Sequence, residues 1–215
     1  MESGTTPSKV VEVEGELFDA PDGAALIREL YAILHQRRNS TVSSQAYFHL
    51  IQTHAIALEA GYPAAYKVYQ AHCDYYLEQP QFLDTSNATV STGPITRKVQ
   101  RPEGTALVIP PQKSDYEGPD GMRHWIICLF TSRGVGRKVS SADVVLENTE
   151  LAIADLKIQL DMLRSGDLGP DVVGIKEIWS CRFNSGLFKV DWKYSKSILE
   201  GSGLEATVVR PPEEE

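Results

Sequence analysis

Long apolar runs and paired cysteines are both missing from this sequence. No stretch approaches the roughly 20 consecutive apolar residues that a membrane-spanning helix needs. The residues before position 10 contain no apolar run of the kind found in signal peptides. Cys73, Cys128 and Cys181 are far apart and form no Cys-x-x-Cys pair or Cys/His cluster. We therefore expect no membrane contact, no bound metal and a reducing compartment.

Positive charge is also scarce. The chain has 21 lysines and arginines against 29 aspartates and glutamates, so its formal net charge is −8 at pH 7. Such a surface repels the backbone of DNA and RNA, and we expect no direct binding to nucleic acid. A small anionic ligand is compatible with this charge, because a nest of backbone N–H groups can hold a phosphate on an acidic protein. The P-loop and the dinucleotide-binding fingerprint are absent, so neither motif would supply such a nest.

The residues that are present alternate between patterns typical of strands and of helices. Residues 124–130 form a continuous apolar run of strand length, which suits a strand buried on both faces. The predicted elements are strands at 10–14 and 24–27, a helix at 64–77, a loop with short strands at 82–100, a strand at 105–109, a loop at 112–122, a strand at 124–130, a helix at 141–165, a strand at 175–183, a helix at 192–199 and a strand at 206–209. This order predicts one α/β layered domain over residues 10–210, between a disordered tail at 1–9 and an acidic tail at 211–215.

Two loops are candidate ligand sites because each follows a predicted buried strand, and ligands of α/β sheets bind beyond the carboxyl ends of the strands. Residues 184–190 precede a predicted helix, so a backbone freed by Gly186 and the positive end of that helix would both face a phosphate. Residues 131–140 contain two glycines together with Arg133 and Arg137, which suit the same role. An ordinary turn in the first loop and a solvated basic loop in the second remain open alternatives.

Several short stretches along the chain carry a family resemblance. They are Val13-Glu14-Gly15-Glu16-Leu17-Phe18, Tyr62-Pro63-Ala64-Ala65-Tyr66, Leu107-Val108-Ile109-Pro110, Ile127-Cys128-Leu129-Phe130-Thr131-Ser132, Glu147-Asn148-Thr149 with Leu151-Ala152, and Phe183-Asn184-Ser185-Gly186-Leu187-Phe188 with Val190 and Trp192. Each stretch alone is weakly specific. Their order and spacing resemble the macrodomain family, in its branch of fungal ADP-ribose 1''-phosphate phosphatases, from about residue 10 to about residue 209.

The resemblance implies a three-layer α/β/α macrodomain with a mixed central sheet. It also implies a phosphomonoesterase that hydrolyses ADP-ribose 1''-phosphate, a by-product of tRNA splicing, to ADP-ribose and phosphate. No covalent nucleophile is evident, so water would attack phosphorus directly while backbone N–H groups stabilise the developing charge. We expect a monomer that needs no cofactor, takes ADP-ribose 1''-phosphate or ADP-ribose as its small-molecule ligand, and resides in the cytoplasm, with the nucleus as a further candidate location.

The same resemblance implies which residues contact the substrate. Gly15, Glu16 and Leu17 would line the adenosine end, with Glu16 in place of the family's usual aspartate. The phosphate and distal ribose would lie against Asn184, Ser185, Gly186, Leu187, Phe188, Lys189 and Val190. Arg133 and Arg137 are weaker candidates at the phosphate, and no catalytic residue is identified from the sequence.

One segment departs from the family pattern. After the strand at 24–27 the family continues into Ile-His-x-Cys-Asn and a glycine-rich Trp-Gly-x-Gly-Ile-Ala loop. Here no glycine and no Cys-Asn pair occurs from Arg28 to Ala60. Residues 28–54 are therefore either a translated non-coding insert or a real divergence that removed the catalytic half of the site. In both cases we expect poor packing of this segment and weak turnover. An ADP-ribose reader, an ADP-ribosyl hydrolase and an inactive chain remain alternatives.

Overall fold

The computed structural model describes residues 10–14, 17, 20–29, 58–86, 88–89, 95–117, 122–134, 138–165, 175, 177–186 and 188–210. The expectations for the tails at 1–9 and 211–215 lie outside the described residues. Of the atypical segment at 28–54, only residues 28 and 29 are described, as the end of the strand that begins at Ala25, and the expected poor packing of the rest lies outside the described residues. The same is true of Gly15, Glu16, Leu187 and Arg137.

The described helices and strands follow the predicted order. They are β1 Val10–Glu14, β2 Ala25–Glu29, α1 Pro63–Glu78, β3 Gln81–Asp84, β4 Thr96–Val99, β5 Ala106–Ile109, α2 Lys113–Tyr116, β6 Trp125–Leu129, α3 Ala142–Ser165, β7 Ile178–Cys181, α4 Trp192–Gly201 and β8 Ala206–Arg210. The short strands predicted within residues 82–100 are confirmed as β3 and β4, which form a separate antiparallel hairpin. Apart from a shorter β7 and the unpredicted helix α2, the elements agree in kind and position with the periodicity of the sequence.

Two details of the prediction are wrong, the bounds of one strand and the content of one loop. The strand predicted at 175–183 is shorter, because β7 lies between β2 and β8 and pairs with them only over Ile178–Ser180 and Trp179–Cys181. The loop predicted at 112–122 contains the one-turn helix α2. Asp115 of α2 accepts hydrogen bonds from the N–H groups of Ala64 and Ala65, at 2.8 and 2.9 Å, and so satisfies the first turn of α1.

The central sheet is mixed and has six strands in the order β1-β8-β7-β2-β6-β5. The first five run parallel, and β5 pairs antiparallel with β6 at one edge. All five parallel strands therefore end on the same side of the sheet, which we call the carboxyl edge. Since β5 runs the opposite way, the turn that leads into β5 also lies there, where the N–H of Gly104 donates to the carbonyl of Phe130 at 2.8 Å.

Side chains alternate between the two faces of this sheet. In β6, Ile126 and Cys128 belong to the core beneath α1, whereas Trp125, Ile127 and Leu129 belong to the core beneath α3 and α4. All five are almost completely buried, which confirms the strand expected from the continuous apolar run. Helices thus cover both faces, and the predicted three-layer α/β/α architecture with a mixed sheet is confirmed.

The open edge of β5 is covered by side chains of α3. Asp155 and Gln159 accept from the backbone N–H groups of Ala106 and Val108 at 2.8 and 3.3 Å, and the Gln159 amide donates to the carbonyl of Ala106 at 2.9 Å. These bonds occupy backbone groups that would otherwise be available to a further strand. Within the described ranges, no helix is long and apolar enough to cross a membrane.

Candidate functional site

The two candidate loops meet at the carboxyl edge. One follows β6 and begins at Phe130, and the other follows β7 and begins at Arg182. The hydroxyl of Thr131 donates to the side-chain oxygen of Asn184 at 2.8 Å, and neither residue has any solvent exposure. Because β2 lies between β6 and β7, this bond joins the two loops across the end of β2.

Asn184 is the centre of a buried polar cluster. Its amide nitrogen donates to the hydroxyl of Thr149 in α3 at 2.9 Å and to the hydroxyl of Ser195 in α4 at 3.0 Å. Both amide hydrogens and the amide oxygen therefore have protein partners. Its φ of 66° lies in the left-handed region, which asparagine tolerates better than most residues. The Asn184 side chain thus holds its own loop to two helices and to the neighbouring loop.

The 184–190 loop closes on itself. The N–H of Val190 donates to the carbonyl of Asn184 at 3.0 Å, and that of Lys189 donates to the carbonyl of Gly186 at 3.3 Å. Phe188 and Val190 are buried against Val145 of α3, so their side chains belong to the core. This burial is what the alternative interpretation of the loop, an ordinary turn, predicts for the two residues. Among the described residues of this loop, Gly186 and Lys189 are exposed and Ser185 is partly exposed.

Gly186 lies in the first half of the 184–190 loop and is exposed. A Cβ atom built on it would meet no atom of the described residues within 4 Å, apart from its chain neighbours, and its φ is not positive. Among the described residues, none accepts a hydrogen bond from the backbone N–H of Ser185 or of Gly186. The Ser185 hydroxyl donates to the carbonyl of Arg182 at 2.6 Å. Neither the backbone geometry nor the packing requires glycine at position 186.

The start of α4 adjoins this loop but already carries an anion. Asp191 caps the helix by accepting from the N–H of Lys193 at 3.1 Å. That backbone hydrogen bond, together with the Lys193 side chain, holds the pKa of the Asp191 carboxyl below its usual value. The positive end of the helix is therefore partly neutralised by the protein itself.

Ser132 joins the two described ends of the 131–140 loop. The buried Ser132 hydroxyl donates to the carbonyl of Gly134 at 2.9 Å and accepts from the N–H of Ser140 at 3.1 Å. At Gly134 an added Cβ would lie 3.1 Å from the Cβ of Lys138, so this position tolerates a side chain poorly. The described part of the loop is thus narrow and closed.

Arg133, a candidate phosphate contact, is engaged with protein groups. Its Nε donates to the carboxylate of Glu103 at 3.3 Å, and its carbonyl accepts from Arg101 at 2.7 Å. Glu103 is buried in the turn before β5. These contacts join the 131–140 loop to that turn, and Arg137 lies outside the described residues.

Comparison with known proteins identifies the family, although no family model matches the chain. An ADP-ribose 1''-phosphate phosphatase from Aspergillus oryzae is 46% identical over 222 aligned positions that cover 100% of both chains. Proteins of the same name from Neosartorya fischeri and Aspergillus clavatus are 46% and 47% identical, with 98% and 95% of this chain aligned and 98% and 96% of theirs. The chain belongs to the family of fungal ADP-ribose 1''-phosphate phosphatases.

In this phosphatase-family protein, both candidate loops lie at the carboxyl edge of the sheet, as the sequence predicted. Leu17, expected at the adenosine end, is buried in the core beneath α1 just after β1. Glu14, the last residue of β1, pairs with Arg210 at 3.4 Å. Among the described residues, no cluster of three or more histidine, cysteine or acidic side chains is arranged to hold a metal.

Sequence reasoning assigned no site role to the polar residues of α3. Asn148 and Thr149 lie three and four positions after Val145, on the helix face that carries the apolar residues, and both are fully buried. Polar residues within an apolar stripe are the signal that could have identified them. In this phosphatase-family fold they support the loops rather than the hydrophobic core.

A second polar cluster fastens the start of the 184–190 loop to β1. Glu12 accepts from Arg182 at 2.6 Å, from Lys196 at 2.8 Å and from the Trp192 ring at 3.3 Å. The hydrogen bonds from Lys196 and then Arg182 lower the pKa of Glu12 to about 2. These contacts join the edge strand β1 to the residues before the loop and to α4.

Proposed function

We propose that this protein hydrolyses the phosphomonoester of ADP-ribose 1''-phosphate. A water oxygen bonds to phosphorus, the bond from phosphorus to the 1'' oxygen breaks, and that oxygen takes up a proton to give ADP-ribose and inorganic phosphate. Full-length identity of 46–47% to proteins named for this activity supports the proposal. We further propose that the protein acts as a cofactor-free monomer in the cytoplasm, with the nucleus as a second candidate location, and with no direct contact to nucleic acid.

The observation that carries the phosphate site is the first half of the 184–190 loop. The N–H groups of Ser185 and Gly186 are successive donors without a protein acceptor among the described residues. Beside them, no described residue other than the chain neighbours lies within 4 Å of the position that a Cβ atom of residue 186 would occupy. An anion that accepts from both donors would meet no side chain at position 186.

In this proposal the remaining loop residues act in two ways. Ser185, Gly186, Leu187, Phe188, Lys189 and Val190 approach the phosphate and distal ribose through their backbone. Asn184 holds the backbone in place by its buried bonds, and a direct contact of its amide with ligand stays a prediction. Gly15, Glu16 and Leu17 line the adenosine end, Leu17 through its backbone because its side chain is buried in the core.

Release of inorganic phosphate tests the proposal directly. The full chain is incubated with ADP-ribose 1''-phosphate, and phosphate and ADP-ribose are measured together. We expect the two products in equal amounts, at a rate proportional to the protein concentration. A Gly186→Val preparation made in parallel excludes a contaminating phosphatase, because only turnover at this loop is lost with that substitution.

The rival functions give different outcomes in the same experiment. Binding of ADP-ribose without phosphate release would replace the proposal with a reader, which the absence of glycine from Arg28 to Ala60 favours. Release of ADP-ribose from an ADP-ribosylated protein, without phosphate release from the monoester, would replace it with an ADP-ribosyl hydrolase. Absence of all three would indicate an inactive chain.

A further inference from the structure

The β3–β4 hairpin lies outside the central sheet, yet one of its side chains reaches the helix that supports the loops. Arg97 of β4 donates from Nη2 to the side-chain oxygen of Asn148 at 2.6 Å. Its Nη1 lies 3.7 Å from the carboxylate of Glu147. Both partners are residues of α3 and are almost fully buried, and the side chain of Arg97 is itself partly buried. The guanidinium therefore spans two consecutive polar residues of that helix.

Asn148 passes this contact on to the site. Its amide nitrogen donates to the backbone carbonyl of Thr131 at 3.1 Å, and the Thr131 hydroxyl donates to Asn184 at 2.8 Å. An amide side chain has one donor end and one acceptor end. Arg97 occupies the acceptor end of Asn148, so it keeps the donor end directed at Thr131. Three consecutive hydrogen bonds connect the hairpin to Asn184.

We propose that Arg97 is a positioning residue for the phosphate site. Through Asn148 and Thr131 it fixes the distance between the 131–140 loop and the 184–190 loop, and its effect on turnover rests on the proposed function. A displacement of about 1 Å at a reacting centre can lower a rate by about 10²-fold. Loss of Arg97 removes both the orientation of Asn148 and the positive charge beside buried Glu147.

The hairpin has other attachments, so its docking does not depend on Arg97 alone. The N–H of Thr89 donates to Glu150 of α3 at 2.7 Å, and the Thr89 hydroxyl contacts the same carboxylate. Leu83 packs over Gly104, where an added Cβ would lie 2.8 Å from it, and the methyl of Leu151 is also near. Removing the Arg97 guanidinium should therefore leave the hairpin in place and alter the loop contacts behind it.

Arg97→Met and Arg97→Lys test the proposal, with Lys98→Met as the matched control. Lys98 is the next residue of β4, is exposed and lies on the opposite face of the hairpin, across from Phe82. We expect Arg97→Met to lower kcat by about 10- to 100-fold and to change KM by less than about 3-fold. Arg97→Lys should recover part of kcat, since it keeps the charge but loses the fork. Lys98→Met should behave as the wild type.

A readout without substrate separates this inference from the proposed function. Backbone amide exchange of residues 131–134, measured by mass spectrometry, should become faster in both Arg97 variants and stay unchanged in Lys98→Met. If wild-type protein releases no phosphate, the proposed function fails while the exchange data still decide whether Arg97 holds the loop. Unchanged exchange, or a lower melting temperature with unchanged kcat per folded molecule, would overturn the inference. If Arg97→Met does not fold, Arg97→Lys carries both measurements.

Discussion

Thr131 and Asn184 lie 53 positions apart in the chain, yet the hydroxyl of the first donates to the amide oxygen of the second at 2.8 Å, with both residues completely buried. The bond joins the loop after β6 to the loop after β7. A buried amide with all its groups engaged is costly to replace, because each partner left behind loses a hydrogen bond. The relative position of the two loops is therefore part of the folded core.

Substitution of Asn184 should destabilise the protein in two separable ways. Asn184→Gly removes the buried bonds but accepts the φ of 66°, and we expect a loss of about 2–4 kcal/mol. Asn184→Ala should cost about 1 kcal/mol more, because alanine is strained in the left-handed region. Urea denaturation of both variants measures the two contributions. If Asn184→Gly were as stable as the wild type, the side-chain hydrogen bonds of Asn184 would not contribute to stability.

Gly186→Val should abolish ligand binding while leaving the fold intact. The open space around Gly186 predicts little loss of stability, and a side chain there would exclude the phosphate. Gly201→Val is the matched control, since Gly201 at the end of α4 is equally open and lies far from the carboxyl edge. Calorimetric titration with ADP-ribose compares the two variants with the wild type. Equal affinity in all three would place the ligand elsewhere.

The Glu12 cluster predicts a defined loss of stability in acid. Its folded pKa of about 2 lies below the usual 4.5, so Glu12 contributes stability above about pH 5 that disappears as the pH falls through 4.5 towards 2. Glu12→Gln should therefore unfold more easily than wild type at pH 7, by about 1–2 kcal/mol after screening by solvent. The difference should shrink as both proteins are titrated with urea at pH 5, 4 and 3. A constant difference would show that charge is not the cause.

The departure at residues 28–54 predicts weak catalysis by the chain as written. A chimera in which this segment carries the family's Cys-Asn pair and glycine-rich loop should release phosphate faster by about 10²-fold, because a second group of backbone donors would face the transition state. The control is the same chimera with the grafted glycines changed to alanine, which should lose most of the gain. Turnover by the unaltered chain equal to that of the chimera would show that the segment is not part of the site.

Several features of the fold were predictable from local pattern. The apolar run at 124–130 and the helical spacing from Val145 to Leu160 correctly predicted β6 and α3. The boundaries of β7 were not predictable, because its pairing with β2 and β8 spans only Ile178–Cys181 and local pattern does not show where a strand meets distant partners. The helix α2 was also missed, since four residues are too few to show a period.

The sequence alone determined the order of strands and helices, the family and the side of the sheet where the candidate loops lie. Periodicity and short motifs are local properties, and parallel strands bring their carboxyl ends together without further information. Only the tertiary structure decided that Asn184 faces inward, that Gly186 faces open space and that Arg97 reaches Asn148 from a separate hairpin. These relationships depend on which distant polar groups meet inside the core. Burial forces such groups to find partners, but local pattern does not specify which partners they find.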